Sequence, residues 1–131
     1  MVGIYVRVST DEQALKGFSV RAQIDKLLSF CELKEWNVYD KYVDDGISGK
    51  NIKDRKELLR LISDIKNKNV DNVLVYKIDR LTRSTRDLID LVDLFNSYNC
   101  SFNSFTENID SLSSTGRMFI KIIGIFAEFE R

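Results

Sequence analysis

The 131 residues predict an α/β fold, a mainly parallel central sheet of four to five strands with helices on both faces. Three observations carry that expectation. Short β-branched runs alternate with stretches of helical apolar spacing. Val73-Leu74-Val75 is a continuous apolar run, as in a strand buried on both faces. The length and the 44% hydrophobic and 31% charged content are those of one globular domain with a real core.

The elements follow in order. Val2, Ile4, Val6 and Val8 alternate with Gly3, Tyr5 and Arg7, which is the period of a buried strand. Residues 11–18 are polar, end in Lys16-Gly17-Phe18 and read as a mobile loop. Ser19 is a good N-cap for a long helix over 19–35, with Val20, Ile24, Leu27, Leu28 and Cys31 facing the sheet. Val38 to Val43 is a second strand, and Asp44 to Lys50 a loop with two glycines. Asp54 opens the next helix, with Glu57 completing a capping box and Leu58, Leu61, Ile62 and Ile65 on its apolar face. Val70 to Tyr76 is the third strand, 84–98 a helix through Leu88, Leu91, Val92 and Phe95, and Ser101 to Phe105 a fourth strand. Proline is absent, so helix ends must rely on polar caps and glycine. The last helix begins near Ser114-Thr115, and its apolar pattern is still running at Arg131. The sequence therefore reads as a piece of a longer protein. That helix is either a deeply buried core helix or one that packs on another subunit.

Composition excludes several chemistries. Lys+Arg and Asp+Glu both number 20, which is unlike a general nucleic-acid coat but leaves room for a focused basic site. With no histidine, a Ser-His-Asp triad, a Cys-His pair and a His-rich zinc site cannot be built. Cys31 and Cys100 form no CxxC and read as reduced core residues of a cytoplasmic protein. No apolar run approaches a membrane span.

Polar residues gather where strands end. Ligands of α/β sheets sit outside the carboxyl ends of the strands. Ser9 follows the first strand, with Arg7 one pleat behind; a turn-capping role for Ser9 is the plainer alternative. Asp79, Arg80 and Arg83 follow the third strand, and a helical 80–83 would put both arginines on one face. Arg55 and Lys56 occupy the first turn of a helix, where cations are unfavourable, so the pair points to an anionic partner. Asp54 and Glu57 beside them explain it equally well. Arg7, Arg55, Arg80 and Arg83 around one hydroxyl would repel each other without an anion among them. Guanidinium forks match phosphate oxygens, and fixed cations lower the barrier to attack on a phosphodiester. The competing expectation is of arginines scattered over the surface. Asp44-Asp45 reads as a turn before Gly46 more readily than as a divalent-cation site.

Three stretches together resemble the catalytic domain of serine recombinases, the resolvases, invertases and large serine integrases. They are Tyr5-Val6-Arg7-Val8-Ser9-Thr10 with Gln13, then Asp44-Asp45-Gly46-Ile47-Ser48-Gly49 leading to Arg55, then Asp79-Arg80-Leu81-Thr82-Arg83. The closing Phe126-Ala127-Glu128-Phe129-Glu130-Arg131 resembles the start of that family's long interface helix. The Gly46 loop, Phe18-Ser19 and the long helix over 19–35 are more similar to the integrase or transposon branch. Lys56, where many relatives have proline, and Thr82, where Ser or Gly is common, depart from the pattern.

The resemblance implies site-specific DNA recombination, with Ser9 as the nucleophile that forms a phosphoserine link to a DNA 5′ end. Arg7, Arg55, Arg80 and Arg83 would neutralise the phosphate. Asp79 would orient the arginines or assist proton transfer, with Tyr5, Gln13 and Gln23 in support. It implies no cofactor and no metal, because the covalent bond stores the energy for rejoining. The implied partners are DNA, reached mainly through a missing C-terminal region, and further copies of the chain, as a dimer or tetramer through the last helix. No membrane and no small-molecule substrate are expected. One rival is a non-catalytic dimerisation or regulatory module of the same fold. A flavodoxin-like phosphate binder lacks GxGxxG and GxxxxGK[ST].

Overall fold

The computed structural model of the chain describes residues 1–8, 20–45, 55–82 and 84–129. The elements are β1 (Val2–Val8), α1 (Val20–Leu33), β2 (Val38–Asp45), α2 (Lys56–Lys66), β3 (Asn72–Val75), α3 (Ile78–Leu81), α4 (Thr85–Ser97), β4 (Ser101–Ser104), β5 (Ile109–Asp110) and α5 (Ser114–Phe129). They build one five-stranded sheet in the order β2-β1-β3-β4-β5. The first three pairings are parallel, and β4 with β5 is antiparallel.

Alternation along the strands divides the core into two layers. Val2, Ile4, Val6 and Leu74 point to one face, where Leu27 and Cys31 of α1 cover them. Tyr5, Val73, Val75 and Phe102 point to the other, under α2 (Leu58, Leu61, Ile65) and α4 (Leu88, Leu91, Val92, Phe95). Each such aliphatic side chain taken from water stabilises by about 2 kcal/mol. The predicted α/β architecture, with helices on both faces, is the one observed. Gly3 serves this packing, since a Cβ there would stand 2.8 Å from Leu61 Cδ1. Cys31 and Cys100 are free and buried, and burial pushes their thiols up to about 11 and about 12.

Several expectations need correction. Asp44 and Asp45 are not a turn, because β2 continues through both. The N-cap of α2 is Arg55, and it has no side-chain cap; Asp54 lies outside the described residues. The Asp44 carboxylate does the capping from β2 instead, accepting the Glu57 and Leu58 N–H groups at 3.0 Å each. The exits of α1, α2 and α4 pass through left-handed Glu35 (φ 59), Lys68 (φ 65) and Asn99 (φ 58), none of them glycine. Such residues carry a cost of about 1 kcal/mol that the surrounding hydrogen bonds must outweigh. The 11–18 loop, the Ser19 cap and the 46–50 loop lie outside the described residues.

α5 differs from the other long helices. It buries only Gly116 and Ala127, while Ile120 and Ile123 pack against the core. Met118, Phe119, Ile122, Ile125, Phe126 and Phe129 are exposed, Phe129 at 81%. Of the two expectations for this helix, deep burial is therefore not met. Among the described residues, no helix is long and apolar enough to cross a membrane.

Candidate active site

Tyr5 and Arg7 stand two residues apart on β1, so they share the face covered by α2 and α4. Parallel pairing sets Tyr5 beside Tyr42 and Arg7 beside Asp44 on β2. Arg7 and Arg55 are both 0% exposed, an unusual position for guanidinium groups, and Arg80 is buried with them. Burial of that kind persists only where the N–H groups find acceptors.

Among the described residues, acceptors come from two sources. The first is the short helix α3. Arg7 Nη2 donates to the Asp79 carbonyl at 2.5 Å and its Nε to the Arg80 carbonyl at 3.3 Å. Arg55 Nη2 reaches the same Arg80 carbonyl at 3.5 Å. The second is the Tyr5 hydroxyl, which accepts from Arg55 Nε at 3.0 Å and from Nη2 at 2.8 Å. That hydroxyl donates its own proton to Asp44 Oδ2 at 2.7 Å. Desolvation pushes the Tyr5 phenol well above its ordinary range, Arg55 opposes the shift, and the hydrogen bond to Asp44 reinforces it. Tyr5 therefore keeps its proton and bridges the two groups, donating to Asp44 and accepting from Arg55.

This arrangement concentrates positive charge. The Arg7 and Arg55 donors that share the Arg80 carbonyl are no more than about 7 Å apart. Their repulsion is roughly 2 kcal/mol at an effective dielectric constant of 20. Among the described residues no carboxylate pairs directly with Arg55, and its buried Nη1 has no hydrogen-bond partner. An unfilled buried donor on a cation is costly. An anion with several oxygens would relieve both the repulsion and the empty donor.

The structure thus brings Tyr5, Arg7, Arg55 and Arg80 together. Asp79 contributes its carbonyl, while its side chain is exposed, so the orientation of Arg7 runs through the main chain rather than through the carboxylate. Gln23 is buried on α1 with Leu27 and Cys31, on the face that covers Ile4 and Val6. A helix is described here only as far as Leu81, and Thr82 is extended (φ −162, ψ 154), so the helical face expected for Arg80 and Arg83 falls partly outside the described residues. Ser9, Gln13 and Arg83 lie outside the described residues.

Asp44 is a site residue that the sequence pattern hides, because Asp44-Asp45 before Gly46 reads as a turn while the strand runs on through it. The available signal was parity. Asp44 is two residues after Tyr42, so a strand prolonged through it must turn that carboxylate inward. Its oxygens are occupied by Tyr5 and by two α2 N–H groups. Among the described residues no group of acidic, Cys or His side chains could hold a metal ion.

Residues 2–131 match the family model described as Resolvase, N terminal domain. The fold is similar to the crystal structure of the N-terminal catalytic domain of TP901-1 integrase, with a TM-score of 0.91 and 48% identity over 99% of this chain and 96% of that one. A resolvase family site-specific recombinase from Streptococcus pneumoniae follows at a TM-score of 0.82 and 31% identity, over 99% and 87% of the two chains. The Transposon Tn917 resolvase of Enterococcus faecalis is 36% identical over 131 residues, all of this chain and 63% of that protein. The chain spans less than two thirds of the length of the first such relatives it matches. Buried arginines at the carboxyl end of a parallel sheet, a family match over nearly every residue and these likenesses agree: the chain belongs to the serine recombinases and corresponds to their resolvase-type N-terminal catalytic domain.

Proposed function

We propose that this chain performs the strand-cleaving and rejoining chemistry of a site-specific DNA recombinase. Ser9 Oγ attacks a DNA phosphorus, losing its proton as the Oγ–P bond forms. The P–O3′ bond breaks, and the 3′ oxygen takes up a proton to leave as a hydroxyl. The product is a 5′-phosphoserine ester, and reversal by a 3′ hydroxyl of another DNA end reseals the backbone. One ester replaces another at each stage, so the bond energy is conserved.

Arg7, Arg55, Arg80 and Arg83 bind the nonbridging oxygens, where negative charge grows in the transition state. Tyr5 and Asp44 hold Arg55. Asp79, whose carboxylate is exposed beside the cluster, is the group for proton transfer, and Gln13 and Gln23 support. The observation that carries this reading is the meeting of two buried guanidiniums, Arg7 and Arg55, on the carbonyls of one helical turn that itself carries buried Arg80, with an Arg55 donor that has no partner among the described residues. The DNA site is read by a region of the parent protein outside this chain, and copies associate through the apolar face of α5. The printed names of the relatives, an integrase domain, a resolvase and a recombinase, support the same reading.

The test is trapping of covalent protein–DNA adducts by the full-length parent on DNA carrying its recombination site. Ser9→Ala should abolish the adduct while site binding persists. Adducts of undiminished yield in that variant would assign the nucleophile elsewhere, and none from the unaltered protein would favour a non-catalytic module.

A further inference from the structure

The turn that gathers the arginines is held from a second side. α3 has four residues, and its N-cap, Lys77, supplies no side-chain hydrogen bond. The Ile78 N–H goes to Glu107 instead, whose two carboxylate oxygens stand 3.2 and 3.4 Å away. Glu107 lies 29 residues further along the chain, in the bend between β4 and β5. It is clamped there by the Ser104 hydroxyl and, at 3.1 Å, by the Thr106 hydroxyl, both donating to Oε1.

The bend is rigid in its own right. Asn108 takes a left-handed φ of 52 and donates to the Phe105 carbonyl at 3.3 Å. The Phe105 and Thr106 N–H groups bond to the carbonyls of Val75 and Tyr76 at 2.9 and 3.0 Å, which fastens the bend to the chain entering α3. Glu107 is nevertheless exposed. Immobilising a solvated carboxylate costs rotamer entropy and adds nothing to the apolar core. Its visible effect is on the turn, and the other side of that turn is the Asp79 and Arg80 carbonyls that receive Arg7 and Arg55.

We infer that Glu107 is a positioning residue for the arginine cluster. Its carboxylate sets the place of the 78–81 turn, the turn's carbonyls set where Arg7 and Arg55 present their N–H groups, and Arg80 is carried on the turn itself. The function of that positioning rests on the proposed phosphate chemistry; the positioning itself does not.

Glu107→Ala and Glu107→Gln separate the two. Two readouts apply to each variant: the arginine Nε–H NMR signals of this chain titrated with inorganic phosphate, and the rate of adduct formation by the full-length parent. Glu107→Ala should shift the Arg7, Arg55 and Arg80 signals and weaken their response to phosphate. It should slow adduct formation about tenfold, the worth of one hydrogen bond to a charged acceptor, with DNA affinity unchanged and the melting temperature lowered by no more than a few degrees. Glu107→Gln keeps an acceptor oxygen for the Ile78 N–H and should recover most of the rate. Arginine signals left at their original positions in Glu107→Ala overturn the inference whatever the rate does. A slowed rate that only tracks a lowered melting temperature overturns it as well. If the unaltered parent forms no adduct, the recombinase reading fails, and the arginine signals still decide whether Glu107 positions the cluster.

Discussion

Two regions of this molecule invert the usual sorting of residues, in opposite senses. At the carboxyl end of β1, guanidinium groups are inside: Arg7 and Arg55 are as buried as any leucine of the core. Along α5, apolar groups are outside, with Ile125 57% and Phe126 61% exposed. α4 gives the scale for α5, because it is of similar length and buries Leu88, Leu91, Val92 and Phe95. A buried cation with an empty donor and an exposed apolar face are both incomplete on their own. The first calls for an anion and the second for an apolar surface. The comparison also separates their energetics, since the arginine network is built into the fold and the α5 face is not.

The strongest way to break that distinction is at Asp44. Asp44→Ala removes three hydrogen bonds and leaves the Tyr5 hydroxyl and two helix N–H groups without their acceptor. A loss of about 3 kcal/mol in chemical denaturation is expected, together with loss of the proposed DNA cleavage. An unchanged denaturation midpoint would mean that the network is not part of the fold. A smaller effect sharpens the claim of an anion site. Inorganic phosphate at about ten times its Kd should stabilise the chain by about 1.4 kcal/mol, and Arg55→Met should abolish that gain. Equal phosphate stabilisation of both proteins in a thermal melt would place the anion elsewhere. The smallest effect is expected on α5. Ile125→Glu should change the stability of the monomer by no more than about 0.5 kcal/mol. Sedimentation should nevertheless show self-association weakened, and association identical to the unaltered chain would remove that face from the interface.

How much was legible in the sequence follows the physics of each feature. The strands and long helices could be read because Val2, Ile4 and Val6, or Leu58, Leu61 and Ile65, repeat with the period of the element. Arg7, Arg55 and Arg80 could be named as candidates because each stands at the end of an element. Their burial could not, since it depends on the carbonyls of a four-residue helix that has no periodic signature. Asp44 and Glu107 were hidden for a related reason. Both cap helices from distant strands or bends, at separations of 13 and 29 residues, whereas local capping rules look three residues away. Glycine at helix exits was a sound rule defeated by composition, with six glycines in the chain and the left-handed positions given to Glu35, Lys68 and Asn99.

Gly116 fastens α5 to the edge of the sheet. A Cβ there would come within 1.9 Å of the Asp110 carbonyl oxygen, so the backbone of α5 lies directly against β5 at that point. The Ser113 hydroxyl completes the fastening, accepting from the Gly116 N–H at 2.9 Å and donating to the same Asp110 carbonyl at 2.8 Å. From Gly116 to Phe129 the helix extends about 20 Å. On the proposed association through α5, a copy of the chain gripping the far end of this rod would hold the long arm of a lever whose fulcrum sits a few residues from Glu107.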